Sequence, residues 1–126
     1  MKRLVIVLII MGGIVFVCIY SIIRVNKINE DMQAYSGAVF AAIESKDKSS
    51  ILNSIKELER FWRKEEKIIV LFVRHMQVDE ISRTVSRLES YARYNDLGAL
   101  HAELSAIISQ MEHIISYEKP RIGNIL

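Results

Sequence analysis

The sequence predicts an all-α protein: an N-terminal transmembrane helix followed by an antiparallel up-and-down bundle of about four helices. Three observations carry this expectation. Leu4 to Ile23 contains no charged side chain, and 13 of those 20 residues are Leu, Ile or Val. Beyond it, apolar residues recur every three or four positions, and no stretch alternates with period two for long enough to build a sheet. Polar breaks at residues 45–49, 74–78 and 95–96 divide this second part into four helical segments. The expected organisation is an anchor over residues 1–23 and a bundle domain over residues 24–126.

The anchor comes first. A 20-residue helix is about 30 Å long, the thickness of a bilayer's hydrocarbon core. Leu4, Ile10 and Ile23 mark its start, middle and end, with Lys2 and Arg3 before it and Arg24 and Lys27 after it. Tyr20 lies near the outer edge, where an apolar ring keeps its hydroxyl wet. Gly12 and Gly13 are small enough to let the anchor pack closely on a partner helix. The run exceeds the roughly 7–15 apolar residues of a cleaved secretory signal, and no Ala-x-Ala site follows it. Cys18 follows Phe16-Val17 rather than a small residue, so it reads as a small hydrophobe of a membrane helix and not as a lipid attachment point. The charges flanking the anchor slightly favour a cytoplasmic N-terminus and an extracytoplasmic bundle.

Helix one carries Ile28, Met32, Tyr35, Val39 and Ala42, and is expected to continue the membrane helix without a break. Ser49 or Ser50 is the expected cap of helix two, which carries Ile51, Ile55, Leu58, Trp62, Ile69 and Phe72. The opposite face of that helix is charged, and the dense apolar run from Ile68 to Val73 reads as fully buried. Trp62, the only Trp, falls on the core stripe. Asp79 is the expected cap of helix three, the alternative being a helix that continues through residues 74–78 with a kink; helix three carries Ile81, Val85, Leu88 and Ala92. Asp96 is the expected cap of helix four, which carries Leu97, Leu100, Leu104, Ile107, Ile108, Met111, Ile114 and Ile115, with Pro120 ending regular structure.

Composition narrows the function classes. The 126 residues hold one Cys, which excludes an internal disulfide and a thiolate zinc finger. Once Lys2 and Arg3 are set aside, 15 basic residues face 15 acidic ones, so the bundle is neutral and nucleic acid is not an expected partner. The expected partners are the lipid bilayer, through the N-terminal helix, and another protein. No nucleophile has a base beside it in the pattern, so no enzyme and no cofactor are expected.

An up-and-down bundle brings the end of helix two, the start of helix three and the end of helix four together beside the membrane. His75, Asp79, Glu80, Glu112 and His113 collect there. His75, Asp79 and His113 are the candidate polar cluster, able in principle to bind a metal ion or to respond to protons. The bundle lacks the paired Glu-x-x-His repeats of di-iron proteins, and the plainer reading is capping and ion pairing.

The chain resembles an uncharacterised domain-of-unknown-function family of small, N-terminally anchored helical proteins from Gram-positive spore-forming bacteria. The likeness rests on Met-Lys-Arg at the start, Leu58 to Trp62 (Leu-Glu-Arg-Phe-Trp) and Leu71 to Ile81 (Leu-Phe-Val-Arg-His-Met-Gln-Val-Asp-Glu-Ile). It continues with Arg87 to Tyr91, Glu112-His113-Ile114 and the closing Asn124-Ile125-Leu126. The resemblance implies an anchored helical domain, implies no reaction, and adds interest to His75, Asp79 and His113. The expected function is a non-enzymatic interaction or accessory role in the cell envelope. The alternative is an extracytoplasmic sensor built on the polar cluster.

Overall fold

A computed structural model of the chain describes the backbone of residues 1–125 and the side chains of residues 1–114. Its elements are four helices: α1 (Lys2–Ser45), α2 (Lys48–Ile69), α3 (His75–Arg93) and α4 (Leu97–Ile125). The expected anchor and the expected first helix of the bundle are one uninterrupted helix. Its 44 residues extend about 66 Å, more than twice the thickness of a bilayer core.

The two halves of α1 are solvated differently. Residues 4–23, here called the arm, touch almost nothing: every large apolar side chain from Leu4 to Ile19 is at least half exposed. The arm is long and apolar enough to cross a membrane. Its one serine, Ser21, donates its hydroxyl to the Cys18 carbonyl at 2.8 Å, so this polar group needs no water. From Val25 onward one face is buried, through Ile28, Met32, Val39 and Ala42.

Each helix packs on its neighbours in the chain, and α1 closes the ring against α4. Short connections over residues 46–47, 70–74 and 94–96 force the antiparallel up-and-down order. The core is filled by Ile55, Leu58, Trp62 and Ile69 from α2 and by Ile81, Val85 and Leu88 from α3, together with Leu100, Leu104, Ile107 and Met111 from α4. Trp62 is thus a core residue, as its spacing predicts.

The two turns at the end far from the arm are capped by side chains. Asp47 accepts from the Ser49 amide at 3.2 Å, and Asp96 accepts from the Ala99 amide at 3.2 Å. Asp96 fills its expected role. The cap of α2, however, is Asp47 rather than Ser49 or Ser50, because its carboxylate already holds the Ser49 amide and also accepts from the Ser50 hydroxyl at 2.9 Å. Lys46 and Asn95 adopt left-handed backbone, with φ of 59° and 58°, to end α1 and α3. Lys48 Nζ donates to the Arg93 carbonyl at 3.1 Å and ties the two turns together. His101, at this same end, packs its ring on Phe40 at 4.8 Å.

Several other expectations are corrected. Asp79 does not cap α3. The helix begins four residues earlier, at His75, with Arg74 in the cap position and no side-chain cap bond. Only Val78 of that first turn enters the core, which is why the apolar pattern starts later than the helix. The run from Ile68 to Val73 is not fully buried: Ile69 is, but Leu71 is 75% exposed. Phe72 belongs to the loop after α2, half-buried against the core. Ser36 rather than Tyr35 takes the fully buried position of its turn, while Tyr35 stacks on Phe61 at 4.8 Å. A Tyr laid along a groove keeps its hydroxyl near water. The α4 backbone continues past Pro120 to Ile125. Proline's φ is itself helical, so a helix can carry the residue, at the cost of one amide donor and of crowding with the carbonyl four residues earlier. The expectations for the Ile115 side chain and for the closing Asn124-Ile125-Leu126 lie outside the described side chains.

Candidate functional site

The end of the bundle from which the arm departs gathers most of the molecule's unusual chemistry. Its first element is a part-buried ion pair. Glu65 sits on the core stripe of α2, between Trp62 and Ile69, and is 8% exposed. Arg24, the first charged residue after the arm, reaches it from α1, with Nη2 to Oε2 at 3.0 Å. The pair joins positions 41 residues apart and pins the exit of the arm against α2. A buried charge requires such a partner, because leaving it alone costs far more than the pair gains.

A second element lies one turn away. Trp62 donates its indole N–H to the Ser82 hydroxyl at 2.8 Å, and Ser82 donates onward to Glu66 Oε2 at 2.7 Å. This chain fixes the start of α3 against α2 and satisfies the one polar atom of the Trp. Beyond it, the connection over residues 70–74 is mostly apolar. Phe72 meets Tyr20 of the arm edge to face, with ring centroids 6.3 Å apart. Leu71 and, at the start of α3, Met76 point outward, 75% and 84% exposed.

The three cluster residues divide between two places. His75 and Asp79 form an i,i+4 pair on the exposed face of α3, with Nε2 to Oδ2 at 3.7 Å. His113 lines a pocket between α3 and α4 of about 220 Å³, with Gln77, Glu80, Ser109 and Gln110. Among the described residues, no three His, Cys, Asp or Glu side chains gather as a group able to hold a metal ion. Glu112 is exposed.

A larger groove of about 760 Å³ runs between α1 and α2. The stacked Tyr35 and Phe61 lie along it, and Asp31, Glu57, Arg60 and Lys64 give it charges of both signs. Four buried polar atoms have no partner among the described residues: Arg24 Nε, Asn29 Oδ1, Ser36 Oγ and Gln110 Oε1. Three of the four, all except Ser36, belong to the arm-proximal half.

Sequence reasoning missed Glu65 and Ser82. Glu65 had a visible signal: the α2 stripe jumps seven residues from Trp62 to Ile69, and the skipped turn of the core face holds a carboxylate. Ser82 had none, because its partners are 16 and 20 residues away on another helix.

The family model for a domain of unknown function, DUF4363, matches residues 19–125. The chain belongs to the DUF4363 family. The matched span takes in the last residues of the arm, the ion pair and the whole bundle. No curated protein and no solved structure matches the chain.

Proposed function

We propose that this DUF4363 chain is a single-pass membrane protein whose bundle acts outside the cytoplasm as a non-enzymatic interaction or accessory component of the bacterial cell envelope. The observation that carries the reading is the continuity of α1. One helix passes from an exposed apolar arm into the bundle core, and the Arg24–Glu65 pair joins it to α2 at the junction. A cleavable leader gains nothing from such a joint, whereas an anchor that holds a domain at fixed height and angle depends on it.

Two basic side chains flank each end of the arm, Lys2 and Arg3 before it and Arg24 and Lys27 after it, so the charge count is even and the orientation rests on the topology test. The mixed-charge groove between α1 and α2 supports a protein as partner, since its stacked aromatic pair and flanking charges resemble an interface core with a polar rim.

A topology reporter fused after Leu126 in intact cells tests the placement. An outside signal, with the protein retained in alkali-washed membranes, is the expected result. An inside signal overturns the extracytoplasmic reading. For the partner, a photo-crosslinking residue at Lys64 in the groove is expected to give a discrete adduct in cells. One at Ser86, exposed on α3 outside the groove, is not.

A further inference from the structure

We propose that the α2–α3 connection is a second membrane contact: Leu71 and Met76 insert into the lipid interface beside the anchor and seat the arm-proximal end of the bundle on the bilayer. The inference rests on the anchoring read above and adds what the bundle itself does at the surface. It starts from depth. Tyr20 lies three residues inside the end of the uncharged segment, about 5 Å along the helix from Ile23. Phe72 touches Tyr20, so the loop is held at the depth of the outer turn of the arm. A loop at that level meets the boundary between headgroups and acyl chains, the zone in which interfacial segments bury their apolar faces by about 5–10 Å.

Composition agrees with depth. From Arg24 onward, the exposed large hydrophobic side chains among the described residues are Leu71, Met76 and Tyr94. Leu71 and Met76, which carry no polar group, emerge where the arm leaves, whereas Tyr94, at the far turn, has a hydroxyl that suits water. Lys67, Arg74 and His75 surround them in sequence, giving the apolar tip a polar collar suited to headgroups. The contact fixes the bundle at two points, anchor and loop. The locked junction makes arm and bundle one body, and the second contact sets the tilt and rotation of that body against the bilayer.

Spin labels placed by cysteine substitution in a Cys18→Ser background, with the full chain in phosphatidylglycerol-containing vesicles, test this. Four single sites are compared: Leu71→Cys, Met76→Cys, Ile10→Cys in mid-arm and Ser49→Cys at the far end. Collisions with oxygen, enriched in lipid, are compared with collisions with a water-soluble nickel chelate. The expected result is a deep Ile10 site and a wet Ser49 site, with Leu71 and Met76 between them and severalfold more oxygen-favoured than Ser49. If Ile10 is deep while Leu71 and Met76 match Ser49, the loop contact is overturned and anchoring stands. Labels at Leu71 and Met76 shielded from both reagents also overturn it, because protein then covers the loop. If Ile10 is wet, the anchoring reading fails, and the loop proposal falls with it.

Discussion

The two ends of this bundle close in opposite ways. The far end is made for water: its turns are polar, Asp47 and Asp96 cap the helices that leave them, and Lys48 bridges one turn to the other. The arm-proximal end has an apolar connection, an α3 start with no side-chain cap, an exposed Leu71, and a carboxylate buried in the helix stripe. The difference teaches that four similar helices can close their two ends with different chemistry, and it is the difference that the proposed membrane contact calls for. An exposed apolar loop is a poor choice beside water and a reasonable one beside lipid, while water can serve the uncapped amides at the start of α3.

The largest expected effect breaks the arm-proximal end. Glu65→Ala leaves the Arg24 guanidinium without its partner but with part of its surface in water, and is expected to cost about 2 kcal/mol in urea unfolding of the full chain in micelles. Replacing both residues with Met is expected to recover most of that loss, because no uncompensated charge remains. Equal losses in the single and double variants would show that the pair itself is not the cause.

Asp47→Ala and Asp96→Ala test the far end. Each removes one amide-accepting carboxylate, and each is expected to cost about 1 kcal/mol in the same unfolding assay. A loss nearer that of Glu65→Ala would mean the far turns do more than cap.

Smaller effects sharpen the contrast. Lys46 holds a left-handed backbone that disfavours any side chain, so Lys46→Gly is expected to stabilise by about 0.5 kcal/mol. Asn95→Gly is expected to gain less, because Asn tolerates that conformation. Both gains would appear as a raised urea midpoint with an unchanged slope.

The smallest effect is electrostatic. Partial burial and the neighbouring Glu89 hold the Glu59 carboxyl above its ordinary 4.5, while Arg63 and Lys56 oppose them. A raised acid binds its proton more tightly in the folded state, so its ionisation destabilises as pH rises from 4.5 through the raised value. Glu59→Gln is therefore expected to raise the thermal midpoint at pH 7 slightly and to leave it unchanged well below 4.5. Glu89 runs the other way: its hydrogen bond with Arg93 lowers its pKa, so its contribution is present above 4.5 and lost as pH falls through the lowered value.

Most of the fold was legible in the sequence because helical periodicity is a local property. The uncharged run to Ile23, the stripes through Leu58 and Trp62, Val85 and Leu88, and Leu104 and Ile107, and the Asp96 cap all follow from spacing within a few turns. The candidate cluster was legible only as residue types. His75 and Asp79 meet because they are four apart on one helix, while His113 falls into a separate pocket with Glu80. Which face of α4 turns toward α3 is settled by packing.

By itself, the sequence determined an apolar arm, four amphipathic helices in up-and-down order, and the side chains that fill their core. Only the tertiary structure decided that Glu65 belongs to Arg24, that Trp62 speaks to Glu66 through Ser82, and that Phe72 rests on Tyr20. The physical reason is one of range. A helix is chosen by neighbours three and four residues away. A buried charge, an indole N–H and a loop against an anchor each need a partner that the chain supplies only after it has folded back on itself.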